Sequence, residues 1–570
     1  MINTNQVMKS NYFLPNNTGT DKFDSINDEL KSVLSAITEL VSFPMSKVSD
    51  FYPENYKNEI HEILFVPTIF DYRNGISYQG VEFALRWYLN FISKKNNGDF
   101  KIVLLGTENK SAFFQNCTYS NFLKCPNVEY LQNSYEDISE YLKINHIKKF
   151  DYDYALRKID LVGIKPPTSY KSHHSIANEW SILRWSKALK IDTEDANELK
   201  KIENSIEASL YYKYLDSKYQ ISGHEKVKDK ILLNSGKILF IDDEVEKGWD
   251  IIFKKICKAK TYSSFGEDFK NWEQSKIIDE SLEKAKDTDI VILDLRLHDD
   301  DFDEINPKEI TGYKLLKKIK EYNKGIQVII FSATNKIWNL QAMQEAGADG
   351  FIMKESPEDS VDEKFTSQSI ENIYKTIDEC LEYSFLKKYF EKFNYLKQEL
   401  EPRKNPKKHP NPLPKEFVDE YLKWLEFAIF NILKYKSNTG NVMSFSLFFS
   451  VLENISNRII DIDNPDKINS DQYKFKFRIN NSYLKEYSSS GGKYSNTNID
   501  LVSKRNINWN QKILNTLQEL SSNLTDMNSL IQKRNDIIHS NSTTGNTANI
   551  NKEELNKIFK IITENIENIN

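Results

Sequence analysis

Four short apolar runs in the middle of the chain limit its fold more than any other feature. They are Lys237-Ile-Leu-Phe-Ile-Asp242-Asp243-Glu244, Ile290-Val-Ile-Leu-Asp294-Leu-Arg-Leu297, Val328-Ile-Ile-Phe-Ser332-Ala-Thr334 and Phe351-Ile-Met-Lys354. Each ends in one polar residue or a polar cluster. A strand of a parallel sheet, buried on both faces, reads this way when its carboxyl end opens into a site. The expected architecture is a doubly wound parallel sheet whose strand ends gather two adjacent aspartates, a third aspartate, a hydroxyl and a lysine.

That set has a definite chemistry. Converging carboxylates attract Mg²⁺, a hard cation that takes oxygen ligands. An aspartate oxygen can attack an incoming phosphoryl group in line, and the metal neutralises the charge. A lysine and a hydroxyl can then hold the new phosphoryl oxygens.

The four runs resemble the receiver domain of bacterial response regulators, and residues 236–356 cover the whole of such a domain. The resemblance implies Asp294 as phosphoacceptor. It implies Asp242, Asp243, Asp294 and the backbone carbonyl of Arg296 as Mg²⁺ ligands. Ser332 is then the switch hydroxyl, Lys354 the strand-end lysine and Phe351 the switch aromatic. A kinase or a small phosphodonor is the implied partner. Two positions depart from the family pattern. The loop His298-Asp-Asp-Asp-Phe-Asp-Glu304 is long and acidic, and Glu355 replaces the usual proline after the lysine. The first bears on phosphodonor or metal affinity, the second on the geometry of the lysine.

At 570 residues the chain is too long for one core. Residues 1–25 are polar and Asn-rich and are expected as a flexible arm. An α/β domain is expected over 26–150, with strands at His61–Val66 and Lys101–Leu105. Its Lys101–Thr107 stretch looks like Val328–Thr334, so a degenerate receiver without phosphotransfer and an unrelated α/β domain are both open. A helical connecting region follows at 151–235, the receiver-like domain at 236–360 and a helical extension at 361–400. Five prolines within 401–414 predict a semi-rigid linker and a domain boundary. Residues 415–570 read as all-α, with helices at 415–436, 442–461, 508–533 and 551–568. Tyr487–Tyr494 and Asn541–Thr547 read as loops. The aromatic positions Phe417, Tyr421, Trp424, Phe427 and Phe430 have core spacing.

The last region contains Gln532-Lys-Arg534-Asn535-Asp-Ile-Ile-His539-Ser540. Five residues on a regular helix put Arg534 and His539 roughly 140° apart, so they converge only if His539 lies at a helix end or bend. Histidine is a natural acid or base near neutral pH, and arginine can grip a scissile phosphate. The string Arg-Asn-x-x-x-His resembles the signature of HEPN domains, helical bundles common in prokaryotic toxins and immune effectors. The resemblance covers about 412–570. It implies metal-independent RNA cleavage by Arg534 and His539, with Asn535 in support, in a homodimer.

A net charge of −6 gives no general nucleic-acid signature. No basic recognition helix is evident, so no DNA partner is expected. No membrane-length apolar run or signal peptide is evident, and Cys117, Cys125, Cys257 and Cys380 have no metal-ligand spacing, so a cytoplasmic protein with reduced thiols is expected. Ser172-His-His-Ser175 reads as a helix start. Two functions follow from the resemblances. One is a receiver that controls a HEPN-type endoribonuclease in stress or anti-phage defence. The alternative is a non-enzymatic phosphorelay adaptor whose helical domain dimerises or binds a partner.

Overall fold

The computed structural model describes residues 9–16, 38–44, 62–69, 77–93, 99–132, 135–142, 148–167, 173–191, 209–219, 230, 232–257, 261–304, 306–333, 337–357, 363–407, 409–490, 493–504, 506–520, 524–539, 549–564, 566 and 569. The chain falls into two compact units. One comprises residues 1–281, 292–314 and 329–378, and the other comprises 282–291, 315–328 and 379–570.

The N-terminal sheet contains β1 (Lys9–Asn16), β2 (Thr38–Pro44), β3 (Glu62–Pro67), β4 (Phe100–Gly106) and β5 (Val128–Gln132), in the order β2-β1-β3-β4-β5. Every neighbouring pair is parallel. The expected arm at 1–25 therefore contributes a strand. β1 pairs on both sides, with β2 and β3, and that pairing occupies its backbone groups although its sequence is mixed. Helix α1 (Gln79–Ser93) buries Val81, Leu85, Tyr88 and Ile92 in the same core as Phe100 and Ile102 of β4. Then come α2 (Lys110–Asn116), α3 (Tyr135–Leu142), α4 (Tyr152–Ile159), α5 (His173–Leu189) and α6 (Leu210–Tyr219). Asp151 caps α4 by accepting from the Tyr154 amide at 2.9 Å.

The central sheet contains β6 (Ile238–Ile241), β7 (Tyr262–Phe265), β8 (Ile290–Asp294), β9 (Gln327–Ser332) and β10 (Gly350–Met353), in the order β10-β9-β8-β6-β7. The outer pairs β9–β10 and β6–β7 are parallel. Between successive strands lie α7 (Trp249–Cys257), α8 (Gln274–Lys286), α9 (Thr311–Tyr322) and α10 (Ile337–Glu345). Numbered from β6, the order is 2-1-3-4-5, a doubly wound arrangement. β6, β8 and β9 are buried along their whole length, which explains their unbroken apolar runs. α11 (Glu363–Glu382) follows β10.

The second unit contains α12 (Leu386–Arg403), α13 (Lys415–Tyr435), α14 (Asn438–Ile459), α15 (Trp509–Leu520), α16 (Leu524–His539) and α17 (Lys552–Glu564). One core joins Phe390 and Leu396 of α12 to Ile558 and Ile562 of α17. Leu413 lies in that core, so the proline-rich stretch expected as a spacer is packed instead. α12 runs through Pro402 to Arg403. Arg403 donates Nε to Asn411 O at 2.9 Å and Nη2 to Ile569 O at 2.7 Å, and the Leu413 amide donates to Arg403 O at 2.8 Å.

The all-α expectation for 415–570 also needs correction. β11 (Ile460–Lys467), β12 (Tyr473–Phe477) and β15 (Val502–Ser503) form one small antiparallel sheet, and β13 (Lys485–Ser490) pairs with β14 (Lys493–Asp500). The expected loop at 487–494 is thus the tip of that strand pair, with Tyr487 buried as its anchor. The expected helix at 508–533 is divided between α15 and α16. On α13, Phe417 and Tyr421 are core, whereas Phe427 and Phe430 are exposed. Leu425, Ala428 and Ile432 complete the buried stripe at helical spacing. Among the described residues no helix is long and apolar enough to cross a membrane. The four cysteines are buried and none forms a disulfide.

Candidate functional site

β6 and β8 are neighbours in the sheet although β7 separates them in sequence. Such a reversal of strand order opens a crevice beyond the carboxyl ends of the strands. Asp242 and Asp243 follow β6 directly, and Asp294 ends β8. Carboxylate oxygens of these three residues lie within 4.8 Å of one another. Lys354, just past β10, puts its Nζ 3.2 Å from Asp242 Oδ2 and 3.4 Å from Asp294 Oδ1. Asp242, Asp294, Ser332 and Lys354 are all buried, with Ser332 at the end of β9. The Lys354 ammonium also faces the rings of Phe331, at 4.5 Å, and Trp249, at 5.5 Å.

Backbone geometry brings these groups together. The Glu244 amide donates to Asp242 Oδ1 at 2.7 Å, and the Arg296 amide to Asp294 Oδ2 at 3.2 Å. A Cβ at Gly312 would lie 2.5 Å from Asp294 O, so only glycine lets the start of α9 approach β8 this closely. Gly266, at φ +148°, passes Asp242 O in the same manner.

Burial dominates the electrostatics. It pushes the Asp242 carboxyl up to about 7, with Lys354 opposing and Asp294 and Glu244 adding to the rise. Asp243 is pushed up to about 9 by burial and by the neighbouring acids. Asp294 is raised too, chiefly by burial, against the pull of Lys354 and two backbone amides. Burial would lower the Lys354 ammonium, but Asp242, Asp294, Glu244 and Asp243 hold it above its ordinary value. Fully ionised, three carboxylates around one ammonium would leave negative charge in excess, and burial together with that repulsion keeps protons on these acids near neutral pH. An all-oxygen donor set of this kind fits a hard divalent cation such as Mg²⁺.

The two departures from the receiver pattern both have structural roles. In the acidic loop, Asp299–Phe302 form a 3₁₀ turn whose Asp301 points inward. Its Oδ2 accepts from the Leu297 and His298 amides, and its Oδ1 from the Thr311 amide and hydroxyl, all between 2.9 and 3.0 Å. This acid ties the loop to the start of α9, while Asp299, Asp300 and Asp303 face solvent. Glu355 is also buried, held by residues of α5 and α11. Phe351 lies half-buried on β10, opposite Ile330, and the Arg296 guanidinium sits 5.5 Å from the Phe302 ring.

Sequence reasoning missed Trp249, Asn178 and Glu244 beside this crevice. A glutamate directly after an acidic pair was the available signal for Glu244. The other two carry no local signature.

In the second unit α16 ends at His539, at the helix end that the five-residue spacing requires. The half-buried Arg534 stacks its guanidinium 3.8 Å from the centre of the Trp509 ring and donates to Asn535 Oδ1 at 3.4 Å. Burial lowers the Arg534 pKa from its ordinary value, with Glu453 opposing.

Comparison with known proteins bears on the central sheet. Residues 253–366 match the response regulator receiver domain family. The match begins inside α7, so it includes Asp294, Ser332 and Lys354 but stops short of Asp242 and Asp243, which the fold itself adds to the set. No curated protein matches the chain. Among solved structures, a two-component system response regulator/GGDEF domain protein is similar at 10% identity, over 65% of this chain and 98% of that chain, with a TM-score of 0.17. The region from 253 to 366 is thus of the response regulator receiver type, and receiver-type signalling is the function class it supports.

Proposed function

We propose that the central domain is a phosphoryl-accepting switch with Asp294 as acceptor. The observation that carries this reading is the convergence of three carboxylates and one buried lysine at the strand-order reversal. A carboxylate oxygen of Asp294 attacks the phosphorus of the donor. A new O–P bond forms, the donor's own bond to phosphorus breaks, and the donor's leaving group departs with that electron pair. Lys354, already 3.4 Å from Asp294 Oδ1, and the Ser332 hydroxyl then bind phosphoryl oxygens. A Mg²⁺ held by Asp242, Asp243, Asp294 and the Arg296 carbonyl would offset the charge of the phosphoryl group.

The proposed output is metal-independent RNA cleavage by Arg534 and His539, assisted by Asn535, in a homodimer. A specific observation favours the alternative, an adaptor without enzymatic activity. The Arg534 guanidinium is already stacked on Trp509, which gives it a structural role. One experiment tests both halves. Purified protein is incubated with acetyl phosphate, Mg²⁺ and labelled RNA. Asp294→Asn is expected to abolish phosphoryl incorporation seen by mass spectrometry, and full incorporation in that variant overturns the acceptor assignment. His539→Ala is expected to abolish RNA loss. RNA loss that survives this substitution, or that never occurs in the parent protein, leaves the adaptor reading.

A further inference from the structure

Helix α5 is fastened to both loops that flank the acidic crevice. On one side Asn178 donates Nδ2 to the Glu244 carboxylate and accepts from Trp249 Nε1 at 2.7 Å. Both partners reach the crevice directly. The Glu244 amide holds Asp242 Oδ1, and the Trp249 ring faces the Lys354 ammonium. On the other side Glu355, the residue after Lys354, accepts from Trp185 Nε1 at 3.0 Å and from Thr366 Oγ1 at 2.8 Å. The Arg184 guanidinium lies 3.5 Å from the same carboxylate, and the Ser181 hydroxyl donates to Glu355 O at 2.9 Å.

Ser181 follows Asn178 by three residues, and Arg184 and Trp185 follow Ser181 by three and four, so the four share one broad face of α5, and all are buried. Ile176, Trp180 and Leu183 of α5 form a cluster with Tyr212 of α6. Tyr212 donates to Ile176 O at 3.4 Å, and Ser217 of α6 donates to Leu89 O of α1 at 2.7 Å. A continuous line of buried contacts thus runs from the crevice to the helix that covers the N-terminal sheet.

We infer that α5 is a latch between the acidic crevice and the N-terminal sheet, released when a phosphoryl group fills the crevice. This rests on the reading of Asp294 as acceptor. Both loops are held through carboxylates: Glu244 lies within electrostatic reach of Asp242 and Asp243, so a phosphoryl group adds negative charge close to it, and Glu355 follows Lys354 directly in the chain. The phosphoryl group also draws the Lys354 ammonium towards new oxygens and away from the Trp249 ring. Both effects weaken the grip of α5. By linkage, weakening α5 by mutation must favour the phosphoryl-bound state to the same degree.

The test uses the full chain with Mg²⁺ and beryllofluoride, a mimic of the aspartyl phosphate. Hydrogen exchange is followed across residues 173–189 while the mimic is titrated. Exchange of this helix is expected to accelerate on saturation. Asn178→Ala and Glu355→Gln, which loosen opposite ends of the latch, are each expected to lower the half-saturating concentration by about fivefold, at the low end of typical coupling between sites. Asp294→Asn is expected to bind no mimic and to show no change. Binding that leaves the exchange of 173–189 unaltered, with both variants within about twofold of the parent, overturns the latch and leaves the acceptor reading intact. If the parent protein shows no Mg²⁺-dependent binding, the acceptor reading fails and the latch fails with it.

Discussion

The N-terminal and central sheets share the strand order 2-1-3-4-5, yet their carboxyl edges differ in kind. The central strands lead into Asp242-Asp243, Asp294, Ser332 and Lys354. At the N-terminal edge β1, β3, β4 and β5 end in Asn16, Pro67, Gly106 and Gln132. Aromatic hydroxyls occupy the neighbouring positions there. Tyr130 and Tyr78 donate to the Glu108 carbonyl and carboxylate, each at 2.6 Å. The Tyr130 hydroxyl sits 2.0 Å from where a Cβ on Gly106 would be, so the ring itself fills the space above β4. One backbone plan thus carries a crevice of converging acids and a lysine in one sheet and, among the described residues, a tyrosine-lined edge in the other. Chemistry depends on what the strand ends present, not on the order of the strands.

The largest expected effect comes from breaking the charge balance in either sheet. Lys354→Met leaves the buried Asp242 and Asp294 without their ammonium and should destabilise the central sheet by about 3–5 kcal/mol at neutral pH. Thr68→Asp puts a carboxylate at a buried position just past β3, and a loss of similar size is expected there. Chemical denaturation measures both. A change of less than about 1 kcal/mol in either variant would show that solvent reaches that edge and that burial is not the difference between the sheets.

A smaller effect concerns pH. Asp242 and Asp243 are raised to about 7 and about 9. Acids raised in the folded state stabilise it fully below their unfolded values near 4, and that contribution is lost as pH rises through the folded values. Metal-free protein should therefore lose stability as pH rises from 5 to 9, seen as a falling Tm, with Mg²⁺ restoring most of it at the alkaline end. Differential scanning fluorimetry across this range provides the check. A flat profile in Asp243→Asn together with a sloping parent would assign the slope to this crevice. The smallest expected effect is at the tyrosine-closed edge. Tyr130→Phe removes one hydrogen bond and should cost about 1 kcal/mol with no response to Mg²⁺.

The central sheet was legible where its strands are buried throughout, as β6, β8 and β9 are, and end in reactive residues, whereas the partly exposed β7 gave no such signal. β1 was not legible either. Lys9-Ser-Asn-Tyr-Phe-Leu-Pro-Asn16 carries a proline and no clean pattern, and its identity as a strand depends on pairing with β2 and β3. β13 and β14 were hidden for a similar reason, since serine, lysine and asparagine dominate a mostly exposed hairpin. β12 was available, because Tyr473-Lys-Phe-Lys-Phe477 alternates as a half-buried strand should. Glu355 could be recognised only as a departure from a pattern. Its partners Ser181, Arg184 and Trp185 lie some 170 residues earlier, and no local reading connects them. Arg403 misled in the opposite way. The prolines around it announced a spacer, whereas its bonds to Asn411 and Ile569 fold that stretch into a core.

The segment between α9 and β9 has a practical consequence for dissecting the protein. Asn323 donates to the Lys387 carbonyl at 3.1 Å, and Lys436 donates to the Gln327 side chain at 2.7 Å. Gly325 lies against the backbone of Leu386, where a Cβ would come within 2.3 Å of its carbonyl carbon. A fragment cut at 236 and 360 would remove Leu386, Lys387 and Lys436 and expose one end of β9 to water, while Ser332 at the other end kept its place. Such a fragment could retain its reactive groups yet aggregate or lose signal. Its failure in solution would then reflect where the chain was severed, not what the crevice can do.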